Sequence, residues 1–296
     1  MSLRDICSNT SIIDYNNILG SGTHGIVYGS NISSNIAVKV FPTSIMNLPT
    51  CYGKSQLISS CDVIRNGEYS YQEIAREYLH NAIPYLDSDI KTIIDIPEVY
   101  GFKFLPNAAE AKCCSYLMKR LMPLSNTTAI QLTFNYERDH DTILPSGRYV
   151  GIDTLKSFGL TNTDISKINR AIASIFAVLH YGMKTDAYDI EFVLVQPITP
   201  EESYGVYAID FDKFSIYKET YPYCISRKLT ETNYDHRQIN NENHMIRLLA
   251  TTIGYCPAIT YPEYSEWKET YIKIAGLYGH SELATKVLMV YESMNI

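Results

Sequence analysis

Between residues 12 and 40 the chain runs from Ile12 to Leu19, through Gly20-Ser21-Gly22-Thr23-His24-Gly25, into Ile26-Val27-Tyr28, and on to Ala37-Val38-Lys39-Val40. Strand formers on both sides of three closely spaced glycines predict a strand–turn–strand hairpin. β-Branched and aromatic side chains suit a pleated surface, and glycine accepts the backbone angles of a tight turn. Nothing after Gly25 has a helical pattern, which excludes a dinucleotide-binding loop, whose glycines open a helix. A glycine-rich hairpin lets backbone N–H groups approach an anion closely, and phosphate oxygens suit such a cradle. Lys39, fourteen residues after Gly25 on an apolar strand, sets an ammonium beneath that hairpin. A plain glycine-rich hairpin with a solvated lysine fits the same residues, so the rest of the chain has to separate the two.

With 296 residues the chain can form one large or two small lobes with ample core. Its 46% hydrophobic and 19% charged residues describe a folded chain rather than a disordered one. A net charge of −7 and the lack of any Lys/Arg run argue against a nucleic-acid-binding surface. Cys7, Cys51, Cys61, Cys113, Cys114, Cys224 and Cys256 form no C-x-x-C pair and no even-numbered framework. With no signal-peptide pattern, they read as reduced thiols, and the expected location is cytoplasmic or nuclear rather than secreted. The apolar run from Ala171 to Leu179 is too short to span a membrane, so none is expected as a partner.

Pro42 to Asn66 shows no periodicity and reads as a loop or insertion. A helical pattern starts near Tyr69 and puts Glu73 and Glu77 on one face, four residues apart. Ile96 to Phe104 and Cys113 to Met118 read as strands. Ile130 to Tyr136 alternates, and Pro145-Ser146-Gly147 is a turn signal before Arg148, so 125–158 is expected to hold an inserted hairpin. Thr161 to Asp164 offers helix caps. Ile165, Ile168, Ile172, Ile175, Phe176 and Leu179 then recur at helical spacing, which buries one face. Trp267 lies in an amphipathic helical pattern and is expected in the core.

That central helix runs into a loop dense in carboxylates, Lys184-Thr185-Asp186-Ala187-Tyr188-Asp189, then Glu191-Phe192-Val193-Leu194-Val195. Val206-Tyr207-Ala208-Ile209-Asp210-Phe211-Asp212 follows. Helix, polar loop, short apolar strand and I-D-F, preceded by the glycine hairpin and A-V-K-V, resemble the catalytic core of a protein kinase. That core reads G-x-G-x-x-G-x-V, V-A-I-K, H-R-D-L-x-x-x-N and D-F-G. The resemblance implies an α+β, bilobal fold: a β-rich N-lobe over 1–118, and a hinge, inserted hairpin and reduced helical C-lobe over 119–296. It implies ATP and Mg²⁺ as cofactors. Gly20, Ser21, Gly22, Gly25, Val27 and Lys39 would lie over and under the phosphates, and Met118, Lys119 and Leu121 would form gatekeeper and hinge. Asp210 and Glu191 would hold the metal, and Asp186 would accept the proton of the attacking hydroxyl. Glu77, with Glu73 as second choice, would pair with Lys39; a solvated helix face is the alternative for both.

The departures carry weight too. Lys184-Thr185 stand where the family has His-Arg, Tyr188 replaces a lysine, Glu191 replaces Asn, Asp212 replaces Gly, and no A-P-E follows. The phrase Asp186-x-x-Asp189-x-Glu191-Phe192-Val193-Leu194, then Ile209-Asp210-Phe211-Asp212, is more similar to an uncharacterised kinase-like family of filamentous fungi. That family carries D-A-x-D-V-E-F-V-L and L-D-F-D motifs. Two function classes remain open: a phosphotransferase of Ser/Thr protein kinase type acting on a hydroxyl of a protein or small molecule, and a pseudokinase acting as a nucleotide-binding or protein-interaction module. A polar loop that caps a helix is the bland alternative for the acids. His24, His140 between Asp139 and Asp141, His236 and His244 lack metal-ligand company, so no zinc site is expected.

Overall fold

The computed structural model describes residues 12–21, 26–42, 45–49, 55–59, 69–108, 111–124, 130–131, 148–149, 152–187, 190–211, 242–254 and 264–294. Its architecture is mixed α+β, with two five-stranded sheets and a layer of helices.

The glycine hairpin begins the first sheet. β1 (Ile13–Ser21) and β2 (Ile26–Ser30) pair antiparallel, with Gly20 opposite Val27. The tip, with Gly22, Thr23, His24 and Gly25, lies outside the described residues. β1 is irregular between Asp14 and Gly20, where its register shifts twice. Beside it Gly29 has a packing role: a Cβ there would lie 2.4 Å from Asn17 Nδ2. β3 (Ile36–Pro42) follows, then β7 (Val99–Ala108) and β8 (Ala111–Lys119), in the order β1-β2-β3-β8-β7, antiparallel throughout. Ile12, Ile13, Ile36, Val38 and Leu117 make its small core.

The stretch expected as a loop between Pro42 and Asn66 instead contains a separate hairpin, β4 (Ile45–Pro49) against β5 (Ser55–Ser59). Its strand formers Ile45, Met46, Leu48, Leu57 and Ile58 are scattered among Pro, Asn and Ser, so no clean alternation shows.

The second sheet runs β10-β9-β11-β12-β6. β11 (Glu191–Val195) and β12 (Gly205–Ile209) form an antiparallel hairpin at its centre. β6 (Ile94–Asp95) joins from the first half of the chain, parallel to β12. The inserted segment does not pair as the expected hairpin: β9 (Ile130–Gln131) runs antiparallel to β11, and β10 (Arg148–Tyr149) runs parallel to β9. The turn signal at Pro145-Ser146-Gly147 lies outside the described residues.

Helices cover this sheet. α1 (Ser70–Ala82) buries Gln72, Ala75, Leu79 and Ala82; α2 (Ile152–Ser157) is short. α3 (Asn162–Ala177) starts with a reciprocal cap: the Asp164 N–H donates to the Thr161 hydroxyl and the Thr161 N–H to the Asp164 carboxylate. Ile165, Ile168, Ile172, Ile175, Phe176 and Leu179 are all buried, as their spacing predicts. α4 (Glu242–Gly254), α5 (Tyr264–Leu277) and α6 (Ser281–Met294) complete the layer, with α3 on α5 and α4 on α6. Trp267 is buried and stacks on Tyr271 at 5.0 Å. Among the described residues no helix is long and apolar enough to cross a membrane.

Candidate functional site

Lys39 is in β3, opposite Val27 on one side and Tyr116 on the other. Its ammonium donates to the Asp210 carboxylate at 3.0 Å, joining residues 171 apart in sequence. Lys39 and Asp210 side chains are 14% and 30% exposed, so solvent screens the pair only in part. Asp210 follows β12 with φ +66° and is succeeded by the buried Phe211. The left-handed region costs a residue with a Cβ roughly 1–2 kcal/mol, so the turn aiming this carboxylate at Lys39 is held by its surroundings.

Glu191 is half-buried at the start of β11 and pairs with Ile209, the residue before Asp210. The β11–β12 hairpin therefore ends in two carboxylate-bearing residues at adjacent strand ends. Among the described residues no three His, Cys, Asp or Glu side chains gather as a metal cage. A divalent cation here would rest on two carboxylates, with water and phosphate oxygens for its other positions. Mg²⁺ accepts that donor set.

Asp186 lies five residues before Glu191 and is fully buried. Its loop leaves the π-helical turn Val178–Gly182 at the end of α3. Lys184 and Ala187 adopt φ +59° and +47°. Together with Asp210 they are the positive-φ residues other than glycine among the described residues, and all three sit in the two loops carrying the predicted acids. Thr185 ties the loop back, its N–H and hydroxyl both donating to the Leu179 carbonyl, at 3.0 and 3.1 Å. Tyr188, Asp189 and Asp212 lie outside the described residues.

Sequence reasoning gave His180 no role, yet it touches this loop. Its Nε2 lies 3.2 Å from the Asp186 carbonyl and its Nδ1 2.6 Å from the Tyr271 hydroxyl, with the Tyr181 hydroxyl 3.0 Å beyond. Burial pushes its pKa down to about 3, so the ring is neutral. The signal was a single histidine closing an otherwise apolar helix run. The sign of its linkage is clear. Above about pH 6.5 the unfolded ring is also neutral and stability is flat. As pH falls from 6.5 toward 3 only the unfolded chain takes up a proton, so stability declines by up to about 1.4 kcal/mol per unit. Urea midpoints at pH 7.5 and pH 5.0 should differ accordingly in wild type and much less in His180→Gln; equal drops would exclude His180 as the source.

The structure does not bring Glu77 to Lys39. The buried stripe of α1 leaves Glu73 and Glu77 roughly 100° and 140° around the helix from Gln72, and both are exposed. Gln72 faces the sheet instead: its Nε2 donates to the Pro97 carbonyl at 2.8 Å, and its Oε1 accepts from the hydroxyl of Tyr116 at 3.3 Å. Arg76 and His80 fasten the next turns to the buried Asp95, at 3.5 and 3.0 Å. The two glutamates lose to a polar set that binds α1 to the strand below it.

Val27 and Gly20 flank the hairpin beside Lys39, and Ser21 ends β1. Met118 is half-buried near the end of β8, opposite Ala37 and Val99. Lys119 donates its N–H to the Glu98 carbonyl, and its ammonium donates to the Tyr207 hydroxyl at 2.7 Å while lying 5.1 Å from the ring centroid. The Arg120 N–H goes to Asn35, and Leu121 packs on Val193, Val195 and Tyr207. The segment after β8 is thus sewn to both sheets.

No family model matches the chain, and no curated protein does. Similar solved structures include WaaP in complex with acyl carrier protein, at 10% identity and a TM-score of 0.42, covering 98% of this chain and 91% of that one. A MAP kinase of Leishmania major, LmaMPK10, is 11% identical with a TM-score of 0.31, covering 91% of this chain and 65% of that one.

Proposed function

We propose that the chain is a divergent, bilobal protein-kinase-like phosphotransferase that passes the γ-phosphate of ATP to a hydroxyl. The observation that carries this reading is the Lys39–Asp210 ion pair behind the glycine hairpin. It unites a strand lysine beside the glycine hairpin with a carboxylate in a strained loop, the two charges that phosphoryl transfer has to position. Lys39 would hold the α- and β-phosphates, and the amides around Gly22 and Gly25, outside the described residues, would cover them. Asp210 and Glu191 would hold Mg²⁺, which would neutralise charge on the phosphates. Asp186 would accept the hydroxyl proton.

A second reading rests on a separate observation. Asp186 is fully covered and Glu77 is turned to solvent, as expected of a nucleotide-binding module that transfers nothing. Incubating wild type, Asp210→Asn and Glu191→Gln with radiolabelled ATP, with and without Mg²⁺, separates the two. The transferase reading expects Mg²⁺-dependent labelling that is lost in Asp210→Asn and needs more Mg²⁺ in Glu191→Gln. Nucleotide binding without label transfer by wild type would establish the module. An unchanged Mg²⁺ requirement in Glu191→Gln would remove Glu191 from the metal site.

A further inference from the structure

We infer that His180 is a positioning residue for Asp186, holding the peptide of the proton-accepting carboxylate through its backbone carbonyl; this rests on the proposed role of Asp186.

The geometry leads there stepwise. α3 ends in a π-helical turn, a wider winding that changes where its side chains point and is frequent at functional sites. His180 in that turn is fully buried, edge-on to Phe176 at 5.3 Å and to Tyr271 at 5.8 Å. A carbonyl oxygen only accepts hydrogen bonds, so the contact with Asp186 puts the proton of the neutral ring on Nε2. Nδ1 then accepts from the Tyr271 hydroxyl. The orientation of the ring is therefore set from α5, and the ring in turn sets the Asp186 peptide.

That peptide needs setting. Residues 184 and 187 both hold left-handed backbone angles without being glycine, so the loop has nearby alternatives with lower local strain. Thr185 anchors the side of the loop before Asp186, and His180 anchors the carbonyl of Asp186 itself. Releasing that carbonyl would let the carboxylate drift, and small misplacement of a reacting group costs rate steeply.

Gln and Asn at position 180 divide the two contacts. A Gln amide reaches the place of Nε2 and can still donate to Asp186, whereas an Asn amide reaches only the place of Nδ1, beside Tyr271. Both lose the ring and should lose similar thermal stability. Backbone amide exchange of residues 184–187 in the full-length protein should be at least about tenfold faster in His180→Asn than in His180→Gln. In label transfer, His180→Asn should lose about tenfold or more in kcat with KM for Mg·ATP within twofold, and His180→Gln should lose distinctly less. Tyr271→Phe keeps the core filled while freeing the ring to turn; it should speed the same amides a few-fold if either other variant fails to fold. Equal exchange of 184–187 in the Gln and Asn variants, or in Tyr271→Phe and wild type, overturns the inference. Absence of label transfer by wild type would overturn the proposed activity alone, because the exchange comparison decides the role of His180 without it.

Discussion

Lys39→Met is expected to lower Mg²⁺-dependent phosphoryl transfer by about 10²- to 10³-fold, the usual cost of removing one preorganised electrostatic group from a reacting centre. Met keeps the length and apolar stem of the lysine, so β3 should stay paired with β2 and β8. The variant nevertheless leaves Asp210, whose carboxylate is 30% exposed and held at φ +66°, without the ammonium that faces it. Asp210→Asn removes the carboxylate that faces Lys39. The double variant removes both charges, and its loss of stability should be smaller than the sum of the two single losses, because the interaction between the pair is then lost only once. Urea unfolding of the four proteins gives the coupling. Label transfer by Lys39→Met at the wild-type rate would rule out the proposed activity at this site, whatever the stability cycle shows.

Trp267→Ala should destabilise the folded chain by about 3–5 kcal/mol, a large share of the roughly 5–15 kcal/mol typical of a domain. The ring is 1% exposed, lies nearly parallel to Tyr271 at 15° and to Tyr264 at 18°, and fills the layer where α5 meets α3. Trp267→Phe should cost much less than Trp267→Ala. The indole N–H is buried with no hydrogen-bond partner among the described residues, so replacing it removes a desolvation cost of about 1–3 kcal/mol. Denaturant midpoints of wild type, Trp267→Phe and Trp267→Ala test the order. A Phe variant as unstable as the Ala variant would show that the N–H has a partner.

Much of this was legible in the sequence, for physical reasons that differ by element. α3 was plain because six apolar residues at helical spacing follow a capping box, and β11 and β12 because each is a short apolar run bounded by polar residues. The glycine hairpin was plain because turn and strand chemistry agree there. β4 and β5 were missed because Pro, Asn and Ser interrupt their apolar residues, so no alternation shows in the sequence. The pairing of β9 and β10 was misread because a turn signal is local, whereas parallel pairing is decided by distant partners. In the site, Lys39 and Asp210 were singled out through motif chemistry, and the structure brings their side chains together. The resemblance implied a helix glutamate for Lys39, and i,i+4 spacing says that Glu73 and Glu77 share a face but not which face is buried; Gln72, Ala75, Leu79 and Ala82 decide that. His180 was passed over because its partners, a backbone carbonyl and a tyrosine 91 residues away, leave no local pattern.

The short strand β6 also bears on how the chain reaches this fold. Ile94 and Asp95 pair with Val206 and Tyr207, so the second sheet cannot finish at that edge until a span of more than a hundred residues has been made and brought back. Contacts so distant in sequence close late, after the loop entropy between them has been overcome. On a ribosome the first sheet can form as soon as β8 emerges, while Ile90, Ile93, Ile94 and Ile96, all buried in the larger core, wait for their covering strands and helices. That interval leaves these isoleucines uncovered beside a finished sheet, so the first 118 residues expressed alone are expected to aggregate more readily than the whole chain.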